Sequence, residues 1–201
     1  MATTSTYVLG DSLYVNITNR CTNNCSFCVR NNPDGISKDL DLWLDKEPSV
    51  EEMIEDIKRR DLNAFKELVF CGYGEPLIRA YDVFEVCKQV RKLSKISIRV
   101  NTNGQASLFF KNDITIDMEG LIDVCSISLN AANGEKYHQE CQSDFGEDAF
   151  EAIIDFAKKS KLYVPRVIFT VVDVMEKREI EECRQIAKEC GVEFKIREMI
   201  L

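Results

Sequence analysis

The chain has no apolar run long enough to cross a bilayer, and its first residues, Met1 to Tyr7, lack the basic stretch and apolar core of a secretory leader. The expectation is a cytoplasmic protein without a membrane partner. An excess of positive charge is also missing. Lys+Arg number 26 against 34 Asp+Glu, and the net charge of -8 offers no broad attraction to phosphate backbones, which argues against nucleic acid. Histidine is nearly absent: His138 stands alone, so a four-ligand zinc site would have to recruit it or a distant cysteine. Linkers, repeats and low-complexity tracts are missing too. At 201 residues, 45% apolar and 30% charged, the chain reads as one domain, 1–201, large enough to bury a core.

Cysteine is what the chain does not lack. An odd count of nine cannot pair completely, and without a leader it points to a reducing compartment rather than a disulfide framework. Three of the nine, Cys21, Cys25 and Cys28, follow a strand-like run, with no fourth at short spacing. Thiolates are soft ligands that select iron–sulfur clusters, zinc or copper(I). Structural zinc takes four ligands, usually as two separated pairs, whereas here only Cys25 and Cys28 have the two-residue gap. A cubane cluster held by three thiolates leaves one iron open for chemistry. Spacing alone leaves cluster and zinc both standing.

A second motif follows the apolar run Leu68-Val69-Phe70-Cys71. It reads Gly72-Tyr73-Gly74-Glu75-Pro76, with a helical pattern just beyond. Glycines at a strand end permit close approach of the backbone to a ligand, and the Glu75 carboxylate can accept from a cation such as an amino group. The same glycines also suit a simple turn.

Strand-like runs lie near 13–18, 67–71, 96–101, 123–130, 164–172 and 192–197. Helical patterns lie at 49–60, 81–93, 147–159 and 177–190, with a short one near Met118. Ser49 and Glu52 form a capping box, and Gly191 stops the last helix. Strands regularly separated by helices mean parallel pairing with crossovers of one hand. Within the strands one face is consistently polar: Asn16 and Thr18; Ser97, Arg99, Asn101 and Asn103; Ser126, Ser128 and Asn130; Lys195 and Arg197. A sheet covered on both sides would read as continuous apolar runs. The expectation is therefore an α/β fold, a partial (β/α)6 barrel: an open parallel sheet around a polar lumen with helices on the outer face.

The CxxxCxxC triad with Phe27 before its third cysteine, together with Gly72-Tyr73-Gly74-Glu75-Pro76, resembles the radical S-adenosylmethionine (SAM) superfamily. The Asn-Gly turn at Asn103-Gly104 and the polar end of Ser126-Ile127-Ser128-Leu129-Asn130 extend the likeness over most of the chain. More narrowly, its size and its TNG and SLNA segments look like the small TatD-linked radical SAM proteins. The resemblance implies a [4Fe-4S] cluster on Cys21, Cys25 and Cys28. It also implies an oxygen-sensitive enzyme that reductively cleaves SAM to a 5′-deoxyadenosyl radical, which abstracts hydrogen from a small-molecule or protein substrate. An electron donor such as flavodoxin or ferredoxin would feed the cluster.

On that resemblance Gly72, Tyr73, Gly74 and Glu75 hold the methionine amino group. Ser128 and Asn130 bind ribose hydroxyls or the methionine carboxylate, and Phe27 and Val172 lie at the adenine. Asn103 counts among the cofactor contacts and, with Asn101, Arg99 and Arg166, faces the substrate. A tyrosine between the glycines departs from the commoner Gly-Gly-Glu. The chain ends just after its sixth strand, so no segment for auxiliary clusters is expected.

Cys87, Cys125, Cys183 and Cys190 fall on apolar faces and read as core, Cys141 reads as part of a polar loop, and Cys71 lies beside the second motif. His138 reads as surface. The segment 29–48, with Asn31, Asp34, Asp39, Asp41 and Trp43, is the longest without a regular pattern and suits a lid or docking surface. The competing reading is a non-catalytic iron–sulfur or zinc redox-sensing module. In that module GYGEP and the polar strand ends would have no task.

Overall fold

Period-two alternation is realised as a single sheet. The computed structural model describes residues 5–32, 35–36 and 40–199; the terminal residues 1–4 and 200–201, and Asp34 and Asp39 of the long segment, lie outside the described residues. The strands are β1 (Thr6–Leu9), β2 (Ser12–Val15), β3 (Glu67–Phe70), β4 (Ser97–Thr102), β5 (Val124–Ser128), β6 (Arg166–Val172) and β7 (Glu193–Arg197). They lie side by side in chain order, β2 to β7 all parallel. Consecutive order with helical crossovers of one hand places the helices on one face and curves the sheet, as a partial (β/α)6 barrel requires.

The helices are α1 (Val50–Lys58), α2 (Ala80–Leu93), α3 (Ala106–Phe110), α4 (Gly134–Cys141), α5 (Asp148–Ser160) and α6 (Lys177–Cys190). The capping box is present in full, Glu52 N donating to Ser49 Oγ at 3.2 Å and Ser49 N to Glu52 Oε2 at 2.7 Å. Gly191 closes α6 at φ +64°, a left-handed conformation that glycine adopts without a Cβ penalty. The helices cover the outward residues of the strands: Leu13, Val15, Leu68, Phe70, Ile98, Val100, Cys125, Ile127, Phe169 and Val171 are all wholly buried.

Three expectations change. A seventh strand, β1, pairs antiparallel with β2 through a tight turn in which Gly10 takes φ +58°. The run at 13–18 leaves the ladder after Val15, since the Asn16 amide donates to Leu42 O at 2.5 Å and Thr18 Oγ1 to Glu47 at 2.5 Å. The pattern near Met118 forms only a 3-10 turn, Ile116–Met118.

The lumen is polar over part of its width only. Tyr7 and Tyr14 stack there with ring centroids 5.1 Å apart, and Leu42 and Tyr73 join them in a second apolar cluster beside β1 to β3. The segment through Leu42 and Leu44 is strapped down by Asn16 and by Asn19, whose side chain donates to Leu44 O at 2.8 Å and accepts from Leu44 N at 3.1 Å. Trp43 on this strap is 48% exposed and meets the Tyr73 ring edge-on at 5.1 Å.

Candidate functional site

Cys21, Cys25 and Cys28 sit half-buried on the loop after β2, at the carboxyl ends of the strands. This loop has little regular structure, so its backbone groups find partners elsewhere. Asn24 N donates to Cys141 O at 2.9 Å and Ser26 N to Glu140 O at 3.0 Å. The carbonyls at the end of a helix have no partner within it, and α4 offers two of its own to the cysteine loop. Cys141 is thus not in a polar loop: it is the buried last residue of α4. Its thiol hydrogen-bonds Cys25, holding the Cys25 pKa down and pushing that of Cys141 up. Burial, with the Glu75 charge next, pushes Cys21 up to about 12.

A buried polar network secures the other side of the loop. Asn103 Nδ2 donates to Thr22 Oγ1 at 2.9 Å and reaches Cys21 Sγ at 3.9 Å. Thr22 Oγ1 donates to Gln105 Oε1 at 2.8 Å, and Gln105 Nε2 donates to Asn23 Oδ1 at 2.8 Å and to Tyr137 Oη at 2.9 Å. Asn23 Nδ2 also donates to Tyr137 Oη, at 2.8 Å. Gln105 and Tyr137 went unnoticed in the sequence. The visible signals were a polar residue directly after Asn103-Gly104 and an aromatic residue in a polar helix.

The second motif is stitched to the same loop. Glu75 N donates to Arg20 O at 2.8 Å, and Gly74 packs so closely on Thr18 and Arg20 that a Cβ there would overlap both carbonyl oxygens. The Glu75 carboxylate, 5% exposed, accepts from Asn103 N at 2.6 Å, Thr102 Oγ1 at 2.7 Å and Leu77 N at 2.9 Å. A carboxylate has about four acceptor sites, and three are committed to the protein. These three bonds make the side chain a brace between the second motif, the end of β4 and the cysteine loop, and leave about one acceptor site for the amino group expected there. Burial lifts its pKa to about 7, against the three donated bonds that lower it. Asn103 likewise turns its side chain to the loop, and the Tyr73 ring turns to the strap.

Phe27, Asn130 and Val172, far apart in sequence, line one cavity of about 300 Å3. Small-molecule pockets begin at about this size. Asn130 takes a left-handed φ of 54°, and its Oδ1 is buried without a partner. Ser128 Oγ accepts from Arg197 Nη2 at 3.4 Å. Of the residues expected to face substrate, Asn101 keeps a buried Oδ1 without a partner and Arg99 pairs with Glu67 at 2.6 Å. Arg166 does not fit that role. It begins β6, at the strand end remote from the cysteines, and is exposed and paired with Glu193 at 2.7 Å. His138 is exposed on α4.

Among the described residues no three His, Cys, Asp or Glu side chains converge where a single ion would sit. The donor set does fit a cluster, which spreads soft thiolates over separate irons at its corners. Half-exposed cysteines on a loop pinned from both sides, with Phe27 of the same loop lining a cavity beside the unpartnered Asn130 Oδ1, suit a site for a bound cofactor.

Comparison with protein families matches the Radical SAM superfamily over residues 15–190, and the chain belongs to it. SuiB from Streptococcus suis, solved bound to S-adenosylmethionine, has a TM-score of 0.67 at 15% identity; the match covers 94% of this chain and 39% of SuiB. A radical SAM methyltransferase from Sphaerobacter thermophilus has a TM-score of 0.65 at 16% identity, covering 96% of this chain and 68% of that one. The FeFe-hydrogenase maturase HydG from Carboxydothermus hydrogenoformans has a TM-score of 0.59 at 16% identity, covering 92% and 44%. These likenesses concern the fold, and this chain spans about two-fifths of SuiB. The comparison with curated proteins gave no match.

Two outcomes check this geometry. Gly74→Ala forces its methyl group against the Thr18 and Arg20 carbonyls and is expected to cost about 1–3 kcal/mol of stability, read by urea unfolding; wild-type stability would contradict the packing. The folded pKa of Glu75, about 7, stands above its ordinary 4.5, so the folded state favours the proton. The stability attached to that proton is present at low pH and lost as pH rises through about 7. Wild type is expected to lose ground against Glu75→Gln in anaerobic urea titrations between about pH 5 and about pH 8, and a constant difference would contradict the assignment.

Proposed function

We propose that this chain, as one domain over 1–201, carries a [4Fe-4S] cluster on Cys21, Cys25 and Cys28 and uses it to cleave SAM. The observation that supports this reading most is the junction of the two motifs: Glu75 and Asn103 tie the GYGEP segment directly to the cysteine loop. When bound, the cluster supplies the electron that splits SAM into methionine and a 5′-deoxyadenosyl radical able to take hydrogen from a substrate.

The residues of the chain bind and orient. Backbone carbonyls of Gly72 to Gly74 receive the methionine amino group, with Glu75 fixing the segment from behind. Asn130 Oδ1, buried and unpartnered, accepts from the ribose, and Ser128 adds a second hydroxyl contact. Phe27 and Val172 pack the adenine in the cavity they share. The nine free thiols suit the reducing cytoplasm. Among the described residues no helix is long and apolar enough to cross a membrane. A flavodoxin or ferredoxin would supply electrons. The narrower resemblance to the TatD-linked group rests on the TNG and SLNA segments.

One observation favours the rival module. Cys141 touches Cys25, and a fourth thiolate would close the site against SAM. Single Ala variants of Cys21, Cys25 and Cys28 are expected to lose the broad visible absorption of the reconstituted cluster, while Cys141→Ala and Cys183→Ala keep it. SAM is expected to perturb the electron paramagnetic resonance signal of the reduced wild type. Loss of the cluster in Cys141→Ala, with no response to SAM, would establish the closed site instead.

A further inference from the structure

The lumen holds a guanidinium that nothing in the reading above uses. Arg197, the last residue of β7, lies on the lumen face and turns toward β5. Its one bond among the described residues runs from Nη2 to Ser128 Oγ at 3.4 Å, and its Nε is buried with no acceptor. Other half-buried arginines are better served: Arg79, Arg91 and Arg99 hold carboxylates at 2.7, 2.5 and 2.6 Å, and Arg30 and Arg60 each make two or more bonds to carbonyl or hydroxyl oxygens. A buried cation without a counter-charge is costly unless a partner arrives from outside.

Its surroundings sharpen the case. Arg99, across the lumen on β4, also keeps a buried Nε without an acceptor, and the Asn101 Oδ1 beside it is unsatisfied. Burial and, to a lesser degree, the charge of Arg99 push the pKa of Arg197 below the ordinary arginine value, against the neighbouring Cys71, which raises it. Tyr7, Tyr14, Tyr73 and Leu42 fill the β1 to β3 side, which confines a ligand to the half of the lumen these groups face. A planar guanidinium matches an oxyanion in a fork geometry that a hydroxyl cannot replace.

We infer that Arg197, with Arg99 beneath it, receives an oxyanion carried by the substrate, a carboxylate or a phosphate, and that Asn101 accepts from a neighbouring hydroxyl or amine of the same molecule. The inference rests on the reading that substrate enters this lumen. SAM carries a carboxylate of its own, and the test separates the two.

The experiment titrates the reconstituted protein with inorganic phosphate, with succinate and separately with SAM, at constant ionic strength, following melting temperature and heat of binding. Wild type, Arg197→Gln and Arg197→Lys are compared. Phosphate or succinate is expected to bind wild type at least tenfold tighter than Arg197→Gln, with Arg197→Lys between, while SAM affinity changes less than threefold. Without added anion, Arg197→Gln is expected to melt no lower than wild type, since it removes a half-buried charge that has no carboxylate partner among the described residues. Absence of a wild-type response to both anions, equal responses in wild type and Arg197→Gln, or a tenfold loss of SAM affinity in Arg197→Gln would each overturn the inference. A protein that takes up neither cluster nor SAM yet binds phosphate or succinate through Arg197 would overturn the cofactor reading and leave the anion site standing.

Discussion

A single buried carboxylate ties the site together. The cysteine loop has almost no regular structure to fix it, and Glu75 joins it to the sheet: its backbone N–H reaches Arg20, and its carboxylate holds Asn103, whose side chain in turn holds Thr22 and Cys21. Such networks are favourable only when every member is satisfied, because an unpaired group in a low dielectric is expensive. Gln105, Asn23 and Tyr137 complete it from the far side, and α4 lends its terminal carbonyls. The geometry of three thiols is therefore set by residues spread from 18 to 144.

This explains which features were legible beforehand. Period-two alternation disclosed the strands, and the polar residues of β4, β5 and β7 disclosed a lumen, because a face is a local property of the chain. Height along the barrel is not local. Arg166 and Arg197 share a face in the pattern, but the parallel register places one at the bottom rim and the other near the cysteines. Strand β1 was missed because its pairing rests on a two-residue turn, and α4 because its polar sequence carries only two wholly buried side chains, Tyr137 and Cys141. Glu75 was legible as a site residue, but its partners, Thr102 and Asn103, lie one strand away.

Tyr73 shows how a departure from a family pattern can be absorbed. Between its glycines the ring packs on the strap, where Trp43 and Leu42 receive it, and the flanking glycines keep the backbone close to Asn16 and Thr18. The β1 to β3 side of the lumen is thereby filled, and the polar remainder lies between β4 and β7. The cavity of Phe27, Asn130 and Val172 lies past the ends of β5 and β6, where α4 and α6 supply the rest of its lining.

The most direct test of this account is chemical: anaerobic protein carrying a full cluster, supplied with dithionite and SAM, assayed for 5′-deoxyadenosine by chromatography. The account predicts that it forms, slowly even without substrate, and that Cys25→Ala forms none. A fully loaded wild type that binds SAM but yields no 5′-deoxyadenosine under reduction would contradict it.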